Sequence, residues 1–242
     1  MFFKKILSTI ILSVALFLYC SPPPPVLIEQ KTEPKKPETV IDADGNVYTT
    51  VQIGNQIWTV ENWRSTKYAD GTPIPHVADS SEWSDLSTPG FCYHNNTTNA
   101  DSIALFGALY NWYVVDPESP NNIAPEGWRV PTDDDWNVLA DFLGGWGIAG
   151  AKMKTTDTTG WASPNEGATN ESGFSALPGG NRIHNGKFVL IGKYGHYWST
   201  TEHCVSLAYC RGLYYDNNNL YRRPYANDKR EGYSVRLVRD VE

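Results

Sequence analysis

Two cysteines stand near the end of the chain with five residues between them, in "EHCVSLAYC", and Arg211 follows the second. Such a pair, Cys204 and Cys210, can be a catalytic thiol couple, half of a metal site, or a staple across a loop. The chain's five histidines, His76, His94, His184, His196 and His203, show no HExxH or comparable ligand spacing. No G-x-S-x-G elbow and no phosphate-cradling glycine loop is present, and no cofactor is implied. The triplet Asp133, Asp134, Asp135 follows "RVPT". It could hold a metal, but its place in a first helical turn favours capping, with negative charge at the positive end of a helix. "DADGN", from residue 42, faintly resembles a calcium loop but lacks the further oxygen ligands and distal glutamate, which favours a hairpin turn.

The densest recognition chemistry follows the second cysteine. Tyr214, Tyr215, Tyr221 and Tyr225 alternate with Asn217, Asn218, Asn219 and Asn227, and Arg211, Arg222, Arg223 and Arg230 are interleaved. Tyrosine gives contact area at low entropy cost, asparagine gives adaptable hydrogen bonds, and arginine gives bidentate recognition of carboxylates. The alternative is that the asparagines make a turn and the tyrosines pack a curved sheet. The ligand-facing set is expected to be Arg211, Tyr214, Asn217, Asn219, Tyr221 and Arg222, with Glu202 either meeting ligand or satisfying a buried arginine such as Arg236. Trp198 reads as core.

These side chains need a domain to hold them. The chain has 242 residues, enough for one sizeable core. Its formal net charge of −7 argues against general nucleic-acid binding, which needs basic surface. Aromatics are 13% of the chain and belong largely to a packed domain. Val47, Thr49, Val51 and Ile53 alternate as a half-buried strand, between the turns Asp44-Gly45 and Gly54-Asn55, and a β-meander results. Residues 101–115 carry helical spacing, with Ile103, Phe106 and Tyr110 on one line and Leu105, Leu109 and Trp112 on another. A second helix follows Thr132, burying Trp136, Leu139, Ala140 and Leu143, until Gly144-Gly145 stops it. Later strands are expected over 187–191, 195–199, 208–214 and 232–238, the last placing Tyr233, Val235 and Leu237 inward against Ser234, Arg236 and Val238. The order of elements gives an α+β fold with two helices, a small twisted antiparallel sheet and long irregular loops.

"MFFKKILSTIILSVALFLYC" has two lysines, an apolar run and then Cys20, the pattern of a secretory signal peptide over residues 1–20. The apolar run is short for a membrane span. The cysteine resembles the acylated residue of bacterial lipoproteins; ordinary cleavage and an uncleaved anchor are the other readings. Residues 21–40 are rich in Pro, Lys and Glu and read as an extended tether. The domain then occupies residues 41–242.

Six stretches in order carry a resemblance: "DGNVYTTVQIGNQIWTVENW", "GALYNW", "GWRVPTDDDWNVL", "ESGFSALPGGNR", "YWSTTE" and "GYSVRLVRD". Together they resemble the Fibrobacter succinogenes major paralogous domain of secreted and lipid-anchored bacterial proteins, across residues 41 to 240. That family is in turn similar to the C-type-lectin-like fold, in the branch of the formylglycine-generating enzymes. "RVPTDDDW" and "GYSVRLVR" are similar to a helix start and a terminal strand of that branch. The asparagine-rich segment resembles the ligand-facing part of the variable proteins of diversity-generating retroelements.

The enzymes of that branch hold copper(I) on two late cysteines, but with four residues between them rather than five. With export permitting disulfides, the pair Cys204 and Cys210 is expected to be a disulfide, contributing about 2 kcal/mol. Cys92 is then unpaired and buried. The expected whole is a lipoprotein anchored to the bacterial envelope, at the outer membrane, through Cys20. Its domain is non-catalytic and recognises a glycan or protein ligand. The alternatives are a copper-dependent oxidase and a structural envelope protein without a ligand.

Overall fold

The computed structural model describes residues 38–156, 160–222 and 227–241. The expected signal peptide, Cys20 and nearly all of the tether lie outside the described residues, as do Arg223 and Tyr225. The described residues lie in one compact unit, Lys36–Glu242.

β1 (Thr39–Ile41), β2 (Val47–Ile53) and β3 (Gln56–Thr59) form the expected meander. The domain thus begins within the stretch assigned to the tether. The first turn is built by Asp42, whose Oδ1 accepts from the amides of Asp44 and Asn46 while Oδ2 accepts from Asn46 Nδ2 and the Tyr48 hydroxyl. Asp44 is occupied by Thr66 and Lys67. These carboxylates are spent on the protein's own donors, so "DADGN" is a turn. The second turn has Gly54 at φ 61°, left-handed as a tight primed hairpin requires.

α1 (Ser80–Ser84), β4 (Phe91–Cys92), α2 (Ala100–Phe106) and β5 (Leu109–Tyr110) follow. The helix expected over 101–115 therefore ends at Phe106. Gly107 turns the chain at φ 74°, and a Cβ there would lie 2.5 Å from Asn62 Cβ and 2.9 Å from Trp63 O. Packing against that backbone outweighs the helical periodicity, and Leu109–Tyr110 pairs with β4. α3 (Asp133–Phe142) is the predicted second helix, with Trp136, Leu139 and Ala140 buried. Its capping box is complete: Thr132 Oγ1 accepts from Asp135 N and Asp135 Oδ2 accepts from Thr132 N. Gly144 and Gly145, both near φ 100°, end it and open α4 (Trp146–Met153), which was not expected.

β6 (Asn181–Arg182) and β7 (Phe188–Val189) make a small hairpin. β8 (Tyr194–Cys204) and β9 (Leu207–Tyr214) make a long one, and β10 (Leu220–Arg222) and β11 (Asn227–Asp228) pair with the other edge of β9. β12 (Val238–Asp240) returns to β3, closing the order β1-β2-β3-β12. The mixture of helices and antiparallel sheets is α+β, with more helices than the two expected.

The chain before β12 threads the interior. Tyr233, Val235 and Leu237 are buried, but so are Ser234, Arg236 and Val238, contrary to the expected outward face. Arg236 is accommodated because Asn62 Oδ1, Thr59 O, Phe174 O and Ser175 O accept its protons. Glu202 is not its partner. Six of the nine tryptophans, including Trp198, are fully buried. Trp198 Nε1 donates to Tyr110 O at 2.7 Å.

Candidate binding cleft

The N-terminal turn of α3, the start of α4 and β10 enclose a cleft of about 760 Å³, lined by Asp133, Asp134, Asn137, Trp146, Asn219 and Tyr221 with Arg222 beside them. Asp133 anchors it. Its Oδ1 meets Arg211 Nη1 at 2.5 Å and its Oδ2 meets Arg222 Nε at 2.9 Å. Arg211 is fully buried. It also donates from Nη2 to Asp133 O and Asn137 Oδ1, and it lies 4.8 Å from the Trp146 ring centre. Burial pulls its pKa below the usual arginine value, with Asp133 opposing. Arg211 therefore braces the cleft from beneath and does not face a ligand. Arg222 opens onto the cleft: its guanidinium carbon stands 4.0 Å above the Tyr209 ring, and its side chain is 46% exposed.

The tyrosines form a column. Tyr194 stacks on Tyr214 at 4.3 Å, and Tyr214 on Tyr221 at 4.8 Å. Tyr214 is therefore an inner ring and Tyr221 the one that reaches the cleft. Asn219 Nδ2 donates to the Tyr221 hydroxyl at 2.7 Å and fixes its direction.

The asparagine loop is clamped, not adaptable. Lys154 Nζ donates to Glu166 O, Tyr214 O and Asn217 O at 2.8, 3.0 and 2.9 Å. Ala151 N donates to Asn218 O, and Asn217 Oδ1 accepts from Asn219 N. Gly150 permits the docking: a Cβ there would stand 2.3 Å from Asn219 O. Asn217 thus supports the cleft from outside its lining. Burial lowers the Lys154 pKa to about 8, with the Glu166 and Asp216 charges opposing.

Glu202 is not brought here. It sits on a distorted part of β8 and pairs with Lys229 Nζ. The expected disulfide is also absent. Cys204 lies opposite Leu207 at the hairpin tip, while Cys210 lies opposite Trp198. Three strand residues, roughly 10 Å, separate those levels, whereas a disulfide needs Cα atoms about 4.4–6.8 Å apart. Cys204 is an exposed thiol and Cys210 a buried one that accepts from Asn227 Nδ2 at 3.0 Å. Cys92 is buried as expected, and burial pushes its thiol up to about 12.

Trp146, Asn137, Lys154 and the anchoring role of Asp133 escaped the sequence reading. Asp133 and Asn137 are four apart on one helix, a spacing that puts both on one face. Nothing in the sequence distinguishes the half-buried Trp146 from the core tryptophans.

A family model described as the Fibrobacter succinogenes major domain matches residues 51–239. No curated protein and no solved structure matches the chain.

Proposed function

The chain belongs to the Fibrobacter succinogenes major domain family, and from that premise we propose that it is a surface-anchored bacterial lipoprotein whose domain recognises a glycan or protein ligand without catalysis. The observation that carries this is the preformed cleft. Trp146, Tyr221 and Arg222 are presented at one opening, each held by partners behind it. Aromatic faces and a half-exposed guanidinium supported in this way suit recognition. The fold is of the C-type-lectin-like kind, a reading supported by the meeting of the first and last strands in one sheet beside a long second hairpin. The oxidase alternative loses its thiol pair, because one sulfur is in the core and the other at a hairpin tip.

Cys20 carries the lipid that holds the protein at the outer membrane. Membrane-fraction labelling with a fatty-acid probe checks this, and Cys20→Ala is expected to release the protein to the soluble fraction. A combined glycan and protein array tests recognition. Binding that Trp146→Ala abolishes, without lowering the melting temperature, supports it; no binding to any member leaves the structural envelope reading ahead.

A further inference from the structure

The two cleft arginines differ in what they have left to give. Arg211 spends its Nη groups on Asp133 and Asn137. Arg222 spends only Nε on Asp133, and its Nη1 and Nη2 have no acceptor among the described residues. Its plane is already held by the Tyr209 ring. Two parallel N–H bonds on a fixed guanidinium edge match the two oxygens of a carboxylate.

The rest of the lining narrows what carries that carboxylate. Tyr221 ends the ring column at the cleft, and Trp146 presents a second aromatic surface. The same lining carries the Tyr221 hydroxyl, which accepts from Asn219 Nδ2, and the Asn137 amide, which donates to Asp134. Among the described residues the sole aliphatic side chain in the lining is Leu220, which is itself buried. A peptide would seek apolar side-chain pockets, whereas aromatic faces with amide and hydroxyl partners fit a sugar ring and its hydroxyls. We infer that the cleft seats an acidic saccharide, with its ring against Trp146 and Tyr221 and its carboxylate on the Nη edge of Arg222.

Charge gives this inference a distinctive sign. Asp133 pairs with both arginines, and Asp134, an exposed carboxylate in the same lining that accepts from Asn137 Nδ2, brings the four charges to balance. Asp134 therefore opposes a bound carboxylate but would assist a neutral sugar by accepting its hydroxyls. Its removal should tighten the first and weaken the second.

The inference rests on the recognition reading above. The test uses the full-length chain in detergent and a panel of uronate- and sialate-containing oligosaccharides, each beside its methyl ester. The acid should bind at least tenfold more tightly than the ester. Arg222→Gln should erase that difference, and Asp134→Asn should tighten the acid severalfold. Both side chains are solvent-facing, and unchanged thermal melts will show that the variants fold. Equal binding of acid and ester, or weaker binding by Asp134→Asn, overturns the carboxylate and leaves recognition of a neutral sugar standing. Binding to peptides alone overturns the saccharide but not recognition. Failure to bind any glycan or protein overturns both.

Discussion

Lys154 shows how one side chain can serve a surface it never reaches. Its three donors gather carbonyls from two parts of the chain, Glu166 from one and Tyr214 and Asn217 from the end of β9 and the asparagine loop. Its pKa falls from an ordinary 10.5 to about 8. Between those values the unfolded chain holds a proton that the folded chain has lost, so stability contributed by this group rises with pH. Below 8 the cost of burying the charge is present in full. Urea midpoints for the wild type, measured against Lys154→Met, should therefore increase from pH 8 to 10; a constant difference would contradict the assignment. The cysteines give a second check. On folded protein carrying Cys20→Ala, a thiol reagent should modify Cys204 alone, with Cys92 and Cys210 reacting only in denaturant. Asp133→Asn removes the charge that serves both arginines, leaves Arg211 buried without it, and should cost about 3–5 kcal/mol in chemical denaturation.

At the scale of elements, α4 joins helix to loop. Gly150→Ala would ordinarily raise helix stability by up to about 1 kcal/mol. Here the new methyl meets Asn219 O and Asn218 O, and overpacking of about 1–3 kcal/mol should prevail. A lower urea midpoint, together with weakened ligand binding, is the expected result. The same glycine explains why α4 was illegible in sequence: Gly147 and Gly150 depress helix propensity, and the reason for Gly150 lies some 70 residues away. α3 was legible because its cap, its acidic first turn and its apolar face are all local signals. β2 was legible by alternation between two turns, β9 was expected over 208–214 nearly to its ends, and β8 was expected only over 195–199 of its Tyr194–Cys204 span. The length of α2 was not, because a contact with Asn62 and Trp63 ends it. In the cleft, Tyr221, Asn219 and Arg222 were found by type, whereas Arg211 has the same type as Arg222 but is buried beneath the cleft, and Tyr214 is half-buried between the rings of Tyr194 and Tyr221. Residue type announces recognition chemistry; only packing decides which copies are presented.

The whole molecule is tied together by its last residues. The stretch 233–238 is buried throughout and contacts segments drawn from most of the chain. Ending the protein at residue 231 should therefore abolish folding, seen as loss of near-ultraviolet dichroism. Deleting residues 2–37 should leave the melting temperature within a few degrees of wild type. With a net charge of −7, the chain does not draw acidic polymers from a distance, and on the proposed saccharide reading discrimination falls to the short-range fork of Arg222.

β1 is three residues long and lies at the edge of its sheet, with one buried side chain, Val40, and an Arg239–Glu38 pair beside it. Tension entering the domain from its N-terminal side reaches this strand first. β1 should detach at low force, lengthening the leash while β2, β3 and β12 stay paired. On the proposed anchoring, the edge strand then works as a mechanical fuse, sparing the cleft when its ligand is pulled away.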